Sequence, residues 1–418
     1  MIDVGPTHSA LILWTPARLV GREIEVSPLA APERRQHVRV LPRQLPSGVV
    51  HLAVYPSLPA GPHLIRDPSS GRSRPVQVEA ARVTELSWEP DRRRRSGSDG
   101  TIAGMPGPTR LRPPPRPPDG RELADRVGPL GVFLGQLALV DASTLRAGVR
   151  AIEELGFGAI WCGEASGREA LTQAAIVLAA TQRIVVATGI ANIWARDPVA
   201  MANGARALAE AWPGRFVLGL GASHARLVEP RGHRYQPPLA AMRRYLPQLA
   251  AAAYTAPLPE PACATVLAAL GPRMLHLAGR ASAGAHTFFV PVAHTRWARQ
   301  ILGPVPLLAP EQACVVAGDR AGARTVADRH VRTYLALPAY RRNLERLGWT
   351  AADCEGSGSD ALFDALIGWG DPAAVAGRVR LQQAAGADHV VVQLLTPGPQ
   401  APLLAQLGPL AGALLGRS

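Results

Sequence analysis

Short apolar segments alternate with helical segments over residues 128–418, and this alternation constrains the fold more than any other feature of the chain. The eight apolar segments are PLGVFLG, AIWCG, RIVVATGI, RFVLGLG, ATVLAAL, AHTFFVP, QACVVAG and HVVVQLL. They do not alternate apolar with polar residues, so each is expected to be a strand buried on both faces, as in a parallel sheet covered by helices. Eight strand–helix units predict a closed (β/α)8 TIM barrel.

The segments between the strands carry helix signals. Leu145, Val149 and Ile152 recur on one face of a segment that ends at Gly156, a typical residue after a helix end. Asp197 precedes Pro198, an N-cap followed by a first-turn proline. An open dinucleotide-binding sheet is the alternative, but its fingerprint would have to be GLGASH, which lacks the third glycine.

The first part of the chain has a different pattern. Residues 1–90 alternate apolar and polar residues between Pro/Gly turns, which predicts a small antiparallel all-β domain of unknown role. Residues 91–127 are rich in Pro, Arg and Gly and have little to bury, so we expect a disordered linker. The barrel is predicted over residues 128–418.

Charge and cysteine usage limit the partners. The net charge of +13 comes from arginines scattered along a lysine-free chain, a bias typical of high-GC, actinobacterial coding, and it favours an anionic small ligand over nucleic acid. The four cysteines form no C-x-x-C pair, so we expect no metal site and a reducing cytoplasm. No stretch approaches the about 18 apolar residues that cross a membrane, and we see no signal peptide.

Three strand ends carry candidate site residues. Glycine, polar and aromatic residues follow the third and fourth strands, where a barrel of this kind places its active site. A histidine titrates near neutrality, so His224 is a candidate proton donor, or else a structural partner of Glu229. Gly271-Pro272-Arg273-Met274 opens a helix whose first-turn N–H groups suit a phosphate, or it is a plain helix start.

The motifs AIEELGFGAIWCGEA, VVATGIANIWARDPVAMA, PGRFVLGLGASH, LAALGPRMLHLAG and GDPAAVAGRVRLQQAAGADHVVVQL resemble the bacterial luciferase-like superfamily. Within it, they resemble the branch of probable F420-dependent oxidoreductases. The resemblance covers nearly all of residues 128–418. It implies a barrel that binds coenzyme F420, or alternatively FMN, at the carboxyl ends of its strands, acts on a small-molecule substrate and forms a homodimer.

The resemblance also assigns roles to residues. It implies a cis peptide bond at Gly189–Ile190 that supports the cofactor ring, and a catalytic role for Glu164 beside the one predicted for His224 from its position. Glu164 could instead pair with Arg168 or Arg196. The cofactor-binding residues that it implies are Gly189, Ile190, Asn192, Trp194, Ser223, Gly271, Pro272, Arg273 and Met274.

The function expected from the resemblance is an F420-dependent oxidoreductase that transfers a hydride between the deazaflavin C5 and an organic substrate. An FMN-dependent luciferase-like monooxygenase is the first alternative. The second is an inactive barrel that serves as a binding or scaffold protein, because Ala165 stands where some deazaflavin-dependent relatives have a histidine.

Overall fold

The computed structural model describes residues 9–45, 48–79, 83–88, 119–398 and 403–416. It divides into two compact units, residues 1–108 and 109–418. Most of the predicted linker, residues 91–118, lies outside the described residues. Its last part is a helix, α1 (Gly120–Val127), so the predicted linker extends too far. The helix forms because Asp119 accepts hydrogen bonds from the Arg121 and Glu122 amides and Glu122 completes a capping box.

The N-terminal unit consists of two four-stranded sheets, with strand orders β4-β5-β1-β8 and β3-β2-β6-β7. Its strands are β1 Ser9–Thr15, β2 Glu23–Pro28, β3 Gln36–Arg39, β4 Leu41–Leu45, β5 Gly48–Leu58, β6 Gly61–Arg66, β7 Ser73–Val78 and β8 Val83–Ser87. Their pairings are antiparallel except for β1 with β8, so the all-β prediction is confirmed. The Tyr55 hydroxyl donates to the Ile24 carbonyl at 2.6 Å and joins the two sheets inside their shared core.

The second unit is a closed barrel of eight parallel strands. They are β9 Leu130–Phe133, β10 Ala159–Cys162, β11 Val185–Thr188, β13 Phe216–Gly221, β14 Ala264–Ala268, β15 Gly284–Thr287, β16 Leu307–Val316 and β18 Val390–Leu394. Each pairs with the next, and β18 pairs with β9, which closes the ring. Two short strands, β12 (Ala191–Asn192) and β17 (Gly368–Gly370), extend the sheet beside β13 and β16. The TIM-barrel prediction is confirmed.

Helices surround the barrel and close its amino-terminal end. They are α2 Ala142–Leu155, α3 Ala170–Ala180, α4 Pro198–Ala211, α5 Ala225–Val228, α6 Pro238–Ala250, α7 Pro272–Ala281, α8 Val292–Leu302, α9 Arg320–Leu335, α10 Pro338–Arg346, α11 Asp360–Leu366, α12 Pro372–Ala384 and α13 Leu403–Leu415. Leu123 and Val127 of α1 are fully buried in the same cluster as the inward-facing side chains Trp161, Val217 and Leu307. Within the described residues, no helix is long and apolar enough to span a bilayer.

Two predicted strands differ from the observed ones. β16 begins at Leu307, ahead of the predicted QACVVAG segment, because Leu307–Pro310 pair with β15. β15 ends at Thr287, before the two phenylalanines of AHTFFVP, because Phe289 adopts a φ of 53° that no strand allows.

Candidate functional site

The third and fourth strands end against each other at the carboxyl face of the barrel. The Gly189–Ile190 peptide bond is cis, as the resemblance implies. A Cβ atom at Gly189 would lie 3.2 Å from the Phe133 ring, and one at Gly221 would lie 2.4 Å from Cγ1 of Ile190. The absence of a side chain at the two glycines allows this close packing, and the two strand ends meet at one place.

Glu164 follows β10 and is almost entirely buried, with a side chain that is 3% exposed. Its carboxylate accepts hydrogen bonds from the Asn192 amide at 2.7 Å and the Ala170 amide at 3.2 Å, and it forms an ion pair with Arg196. Arg168 instead donates to the carbonyls of Ala138 and Val140. Of the two pairings predicted for Glu164, the structure contains the one with Arg196. The contacts anchor the loop after β11.

Asn192 and Trp194 continue that loop. Asn192 is buried, and its side-chain oxygen accepts the Trp194 amide at 3.1 Å. The Trp194 indole donates to the Ala222 carbonyl at 3.0 Å, which ties this loop to the end of β13. Trp194, partly exposed, lines a groove of about 450 Å³ together with Arg196, His233 and other side chains of α4 and α6.

Ser223 and His224 follow β13 directly. Ser223 has a φ of 55°, in the left-handed region that non-glycine residues rarely occupy, and its carbonyl accepts the Tyr235 hydroxyl at 2.8 Å. The partly buried His224 ring lies 5.6 Å from the Tyr340 ring, centroid to centroid. Burial and the nearby Arg226 guanidinium lower the pKa of His224, so its neutral form is favoured at neutral pH.

The predicted phosphate site lies at the start of α7. Gly271 is the N-cap, and Pro272 contributes no N–H group. The Met274 amide donates to the Gly271 carbonyl at 3.1 Å, which leaves the Arg273 amide as the first-turn N–H group for a phosphate. A Cβ atom at Gly271 would have the Arg346 guanidinium, 3.9 Å away, as its nearest neighbour. The space before the helix is thus open and positively charged.

Phe133, Phe288 and Tyr334 form a partly exposed aromatic surface at the same end of the barrel, here named the ring wall. The Phe133 and Phe288 centroids are 5.4 Å apart, and those of Phe288 and Tyr334 are 4.9 Å apart. Phe133 also packs beside Gly189. The sequence reasoning missed this surface, although the Phe-Phe pair after AHT was a usable signal.

Glu311 of β16 lies buried beneath the ring wall and was also missed. It is 1% exposed, and its Oε2 accepts the Phe289 amide at 3.1 Å. Burial raises the pKa of Glu311 to about 8, against the opposing effect of that hydrogen bond. An acidic residue within the otherwise apolar LLAPEQACVV segment was the signal that could have revealed it.

The side chains at this face suit a flat heterocycle with a polar edge and an anionic arm. Four buried polar atoms on β15, β16 and β18 have no hydrogen-bond partner within the described part of the chain: His286 Nε2, Thr287 Oγ1, Glu311 Oε1 and Gln393 Oε1. The ring wall offers an aromatic face, and the start of α7 offers an amide beside a guanidinium. Among the described residues there is no cluster of His, Cys, Asp and Glu that could hold a metal ion.

Comparison with known families assigns the barrel. Residues 130–389 match the luciferase-like monooxygenase family. The chain belongs to this family. A Mycobacterium tuberculosis protein named "Putative coenzyme F420-dependent oxidoreductase" is 36% identical over 118 residues, which are 28% of this chain and 34% of that protein. The chain thus matches about a third of the length of that curated relative.

Solved structures of other proteins have the same barrel. The F420-dependent tetrahydromethanopterin reductase of Methanopyrus kandleri superposes with a TM-score of 0.56 at 16% identity, covering 68% of this chain and 97% of that one. A Pseudomonas putida type II Baeyer-Villiger monooxygenase in complex with FMN superposes with a TM-score of 0.55 at 13% identity, covering 68% and 97%. At these identities the likeness shows the fold alone.

Proposed function

We propose that this luciferase-like protein is an F420-dependent oxidoreductase that transfers a hydride between the deazaflavin C5 and an organic substrate. The observation that carries the proposal is the close packing at the carboxyl face of the barrel, where Gly189 lies against the Phe133 ring and Ile190 lies against Gly221. The F420-dependent name of the M. tuberculosis relative supports this choice of cofactor. A bound deazaflavin supplies two-electron hydride chemistry, because carbon replaces the flavin N5.

The residues of this chain divide the work between them. Gly189, Ile190, Asn192, Trp194 and Ser223 would hold the cofactor ring at the ends of β11 and β13. The Arg273 amide and the Arg346 guanidinium would hold its phosphate at the start of α7, where Gly271 and Pro272 would allow close approach. His224, held neutral by partial burial, is placed to accept or position a substrate proton. We propose Glu164 as the anchor of the β11 loop rather than as the acid/base group.

Fluorescence titration tests the choice of cofactor. We expect F420 fluorescence to be quenched with saturation and FMN fluorescence to respond much more weakly. Gly271→Asp places a carboxylate beside the predicted phosphate position, so it should weaken F420 binding by about tenfold or more, roughly 1.4 kcal/mol. Gly377→Asp is the matched control, because Gly377 lies on α12 with no atom within 4 Å of its Cβ position.

The same titration decides between the proposal and its alternatives. Saturable FMN quenching without an F420 response would favour the FMN-dependent alternative, and the family description also names a monooxygenase. Absence of both responses would favour a binding or scaffold role. We further propose a homodimer in the cytoplasm, and light scattering of the purified chain measures the first of these.

A further inference from the structure

Glu311 is a buried acid in which one carboxyl oxygen accepts a hydrogen bond and the other accepts none within the described residues. Its Oε2 accepts the Phe289 amide, and its Oε1 has no partner within the described residues. A buried carboxyl group with an unused oxygen is costly unless the fold uses it, so its place beneath the ring wall needs an explanation.

Phe289 has a backbone conformation that must be held from outside. Its φ of 53° lies in the left-handed region, and it shares this property with Ser223 alone among the described non-glycine residues. Such conformations persist where the surroundings enforce them, commonly at functional sites. The amide that donates to Glu311 belongs to this residue, so the carboxyl group fixes the turn by which the chain leaves β15.

The same turn sets the aromatic packing behind the ring wall. The Phe289 ring stacks on Tyr334 at 5.2 Å and meets Tyr340 edge-on at 5.7 Å. Tyr340 in turn contacts His224. The Glu311–Phe289 bond is therefore connected through ring contacts to both the ring wall and the predicted proton-handling histidine.

We propose that Glu311 is a positioning residue of the predicted cofactor site, which holds Phe289 and, through it, the ring wall in the orientation that accepts the cofactor ring. The inference rests on the proposed function, because the occupant is the flat heterocycle named there. Glu311 acts through Phe289 and Tyr334 and does not itself touch the ligand.

The groups around Glu311 favour its uncharged form. Tyr334 faces it from α9, Tyr340 from α10 and Cys314 from β16 itself. His330 of α9 contacts the Phe289 and Tyr334 rings, and Arg226 and Arg378 act at longer range on Tyr334 and Cys314. Within the described residues, no cation forms an ion pair with it. An uncharged acid keeps the acceptor oxygen for the Phe289 amide, whereas ionisation would leave a buried charge without a counterion.

Two substitutions at Glu311 separate the uncharged acid from its ionised form. Glu311→Gln keeps an acceptor and a donor in place of the protonated carboxyl group, whereas Glu311→Leu keeps the volume and removes both.

F420 affinity of the unsubstituted chain should fall as the pH rises through about 8, the direction given by the raised pKa. Glu311→Gln should bind equally well at both ends of that range, and Glu311→Leu should bind about tenfold more weakly throughout. Glu345→Gln, an exposed change on α10, is the control and should match the unsubstituted chain.

A second readout needs no cofactor. Hydrogen–deuterium exchange at neutral pH should be faster in peptides covering residues 286–292 and 330–345 in Glu311→Leu, and unchanged in Glu311→Gln. If no variant binds F420 while this exchange pattern appears, the proposed cofactor fails and the positioning role stands. Exchange in Glu311→Leu that equals that of the unsubstituted chain overturns the inference, and so does a Glu311→Gln variant that keeps the original pH dependence of binding.

Discussion

Replacing Glu164 with glutamine distinguishes an anchoring role from an acid/base role. The Glu164 and Arg196 side chains are 3% and 9% exposed, and the carboxylate also accepts the Asn192 and Ala170 amides. Breaking one partner of a buried pair costs about 3–5 kcal/mol, because the remaining charge stays buried. Arg196 keeps a second contact, 2.5 Å from the partly exposed Glu169, so we expect the lower end, about 3 kcal/mol.

Chemical denaturation monitored by tryptophan fluorescence measures this loss of unfolding free energy, and thermal unfolding measures it independently. In thermal unfolding, a cost of about 3 kcal/mol in a domain of this size lowers the midpoint temperature by on the order of 10 °C. Asp328→Asn is the control: it removes an exposed i,i+4 pair with Arg332 and should cost less than about 1 kcal/mol, a difference that salt abolishes. The loss at Glu164 should persist in salt, because a buried pair is poorly screened.

The reasoning fails if Glu164→Gln unfolds at the same denaturant concentration as the unsubstituted chain and yet loses turnover. That result would indicate that Glu164 acts as an acid/base group. An anchoring role predicts lower stability together with weaker cofactor binding, because the loop that carries Asn192 loses its attachment.

Three further outcomes follow from the described geometry. Gly219→Ala would place a Cβ atom 1.8 Å from the Thr188 carbonyl oxygen, so we expect more than about 4 kcal/mol of destabilisation, or no folded barrel, by circular dichroism and denaturation. Stability should also fall as the pH drops from about 6.5 to about 4. Burial lowers to about 4 the pKa of four histidines, so the unfolded chain binds these protons first and each histidine costs roughly 3 kcal/mol of stability at low pH. These are His286, His294, His330 and His389. Glu311 changes in the opposite sense above its ordinary pKa but is one group against four; denaturation at several pH values measures the slope, and a flat profile would contradict the assignment. Finally, His224→Gln should lower kcat and leave F420 affinity within about threefold, and a lost affinity with normal kcat would refute the assigned role.

The strands of the barrel could be predicted because each contains a run of consecutive apolar residues. Segments such as RFVLGLG contain no polar position to face water, so a strand buried on both faces is the consistent outcome. Helix starts such as Asp197-Pro198 are equally local, and the structure caps α4 there. Helix α1 was not predicted, because its capping box, Asp119 and Glu122, directly follows a Pro-rich segment that favours the linker interpretation.

The site was predictable only where a resemblance supplied it. The cis junction at Gly189–Ile190 came from the family motif, whereas the choice between Arg168 and Arg196 as partner of Glu164 depends on a loop 32 residues away. The environment of Glu311 depends on β15, α9 and α10 meeting above β16, which no local pattern encodes. The roles assigned to the site residues stay predictions until cofactor binding is measured.

Helix α1 also determines which fragments of this chain can be expressed on their own. Its Gly120 packs so tightly that a Cβ atom there would meet the backbone of Val305 and Leu307 at 2.3 Å, and Leu123 and Val127 cover the amino-terminal opening of the barrel. A fragment that starts at residue 128 would expose the barrel's apolar interior to water and would aggregate. One that starts at Asp119 keeps the covering helix, and it is the shortest version worth expressing for biochemistry on the isolated barrel.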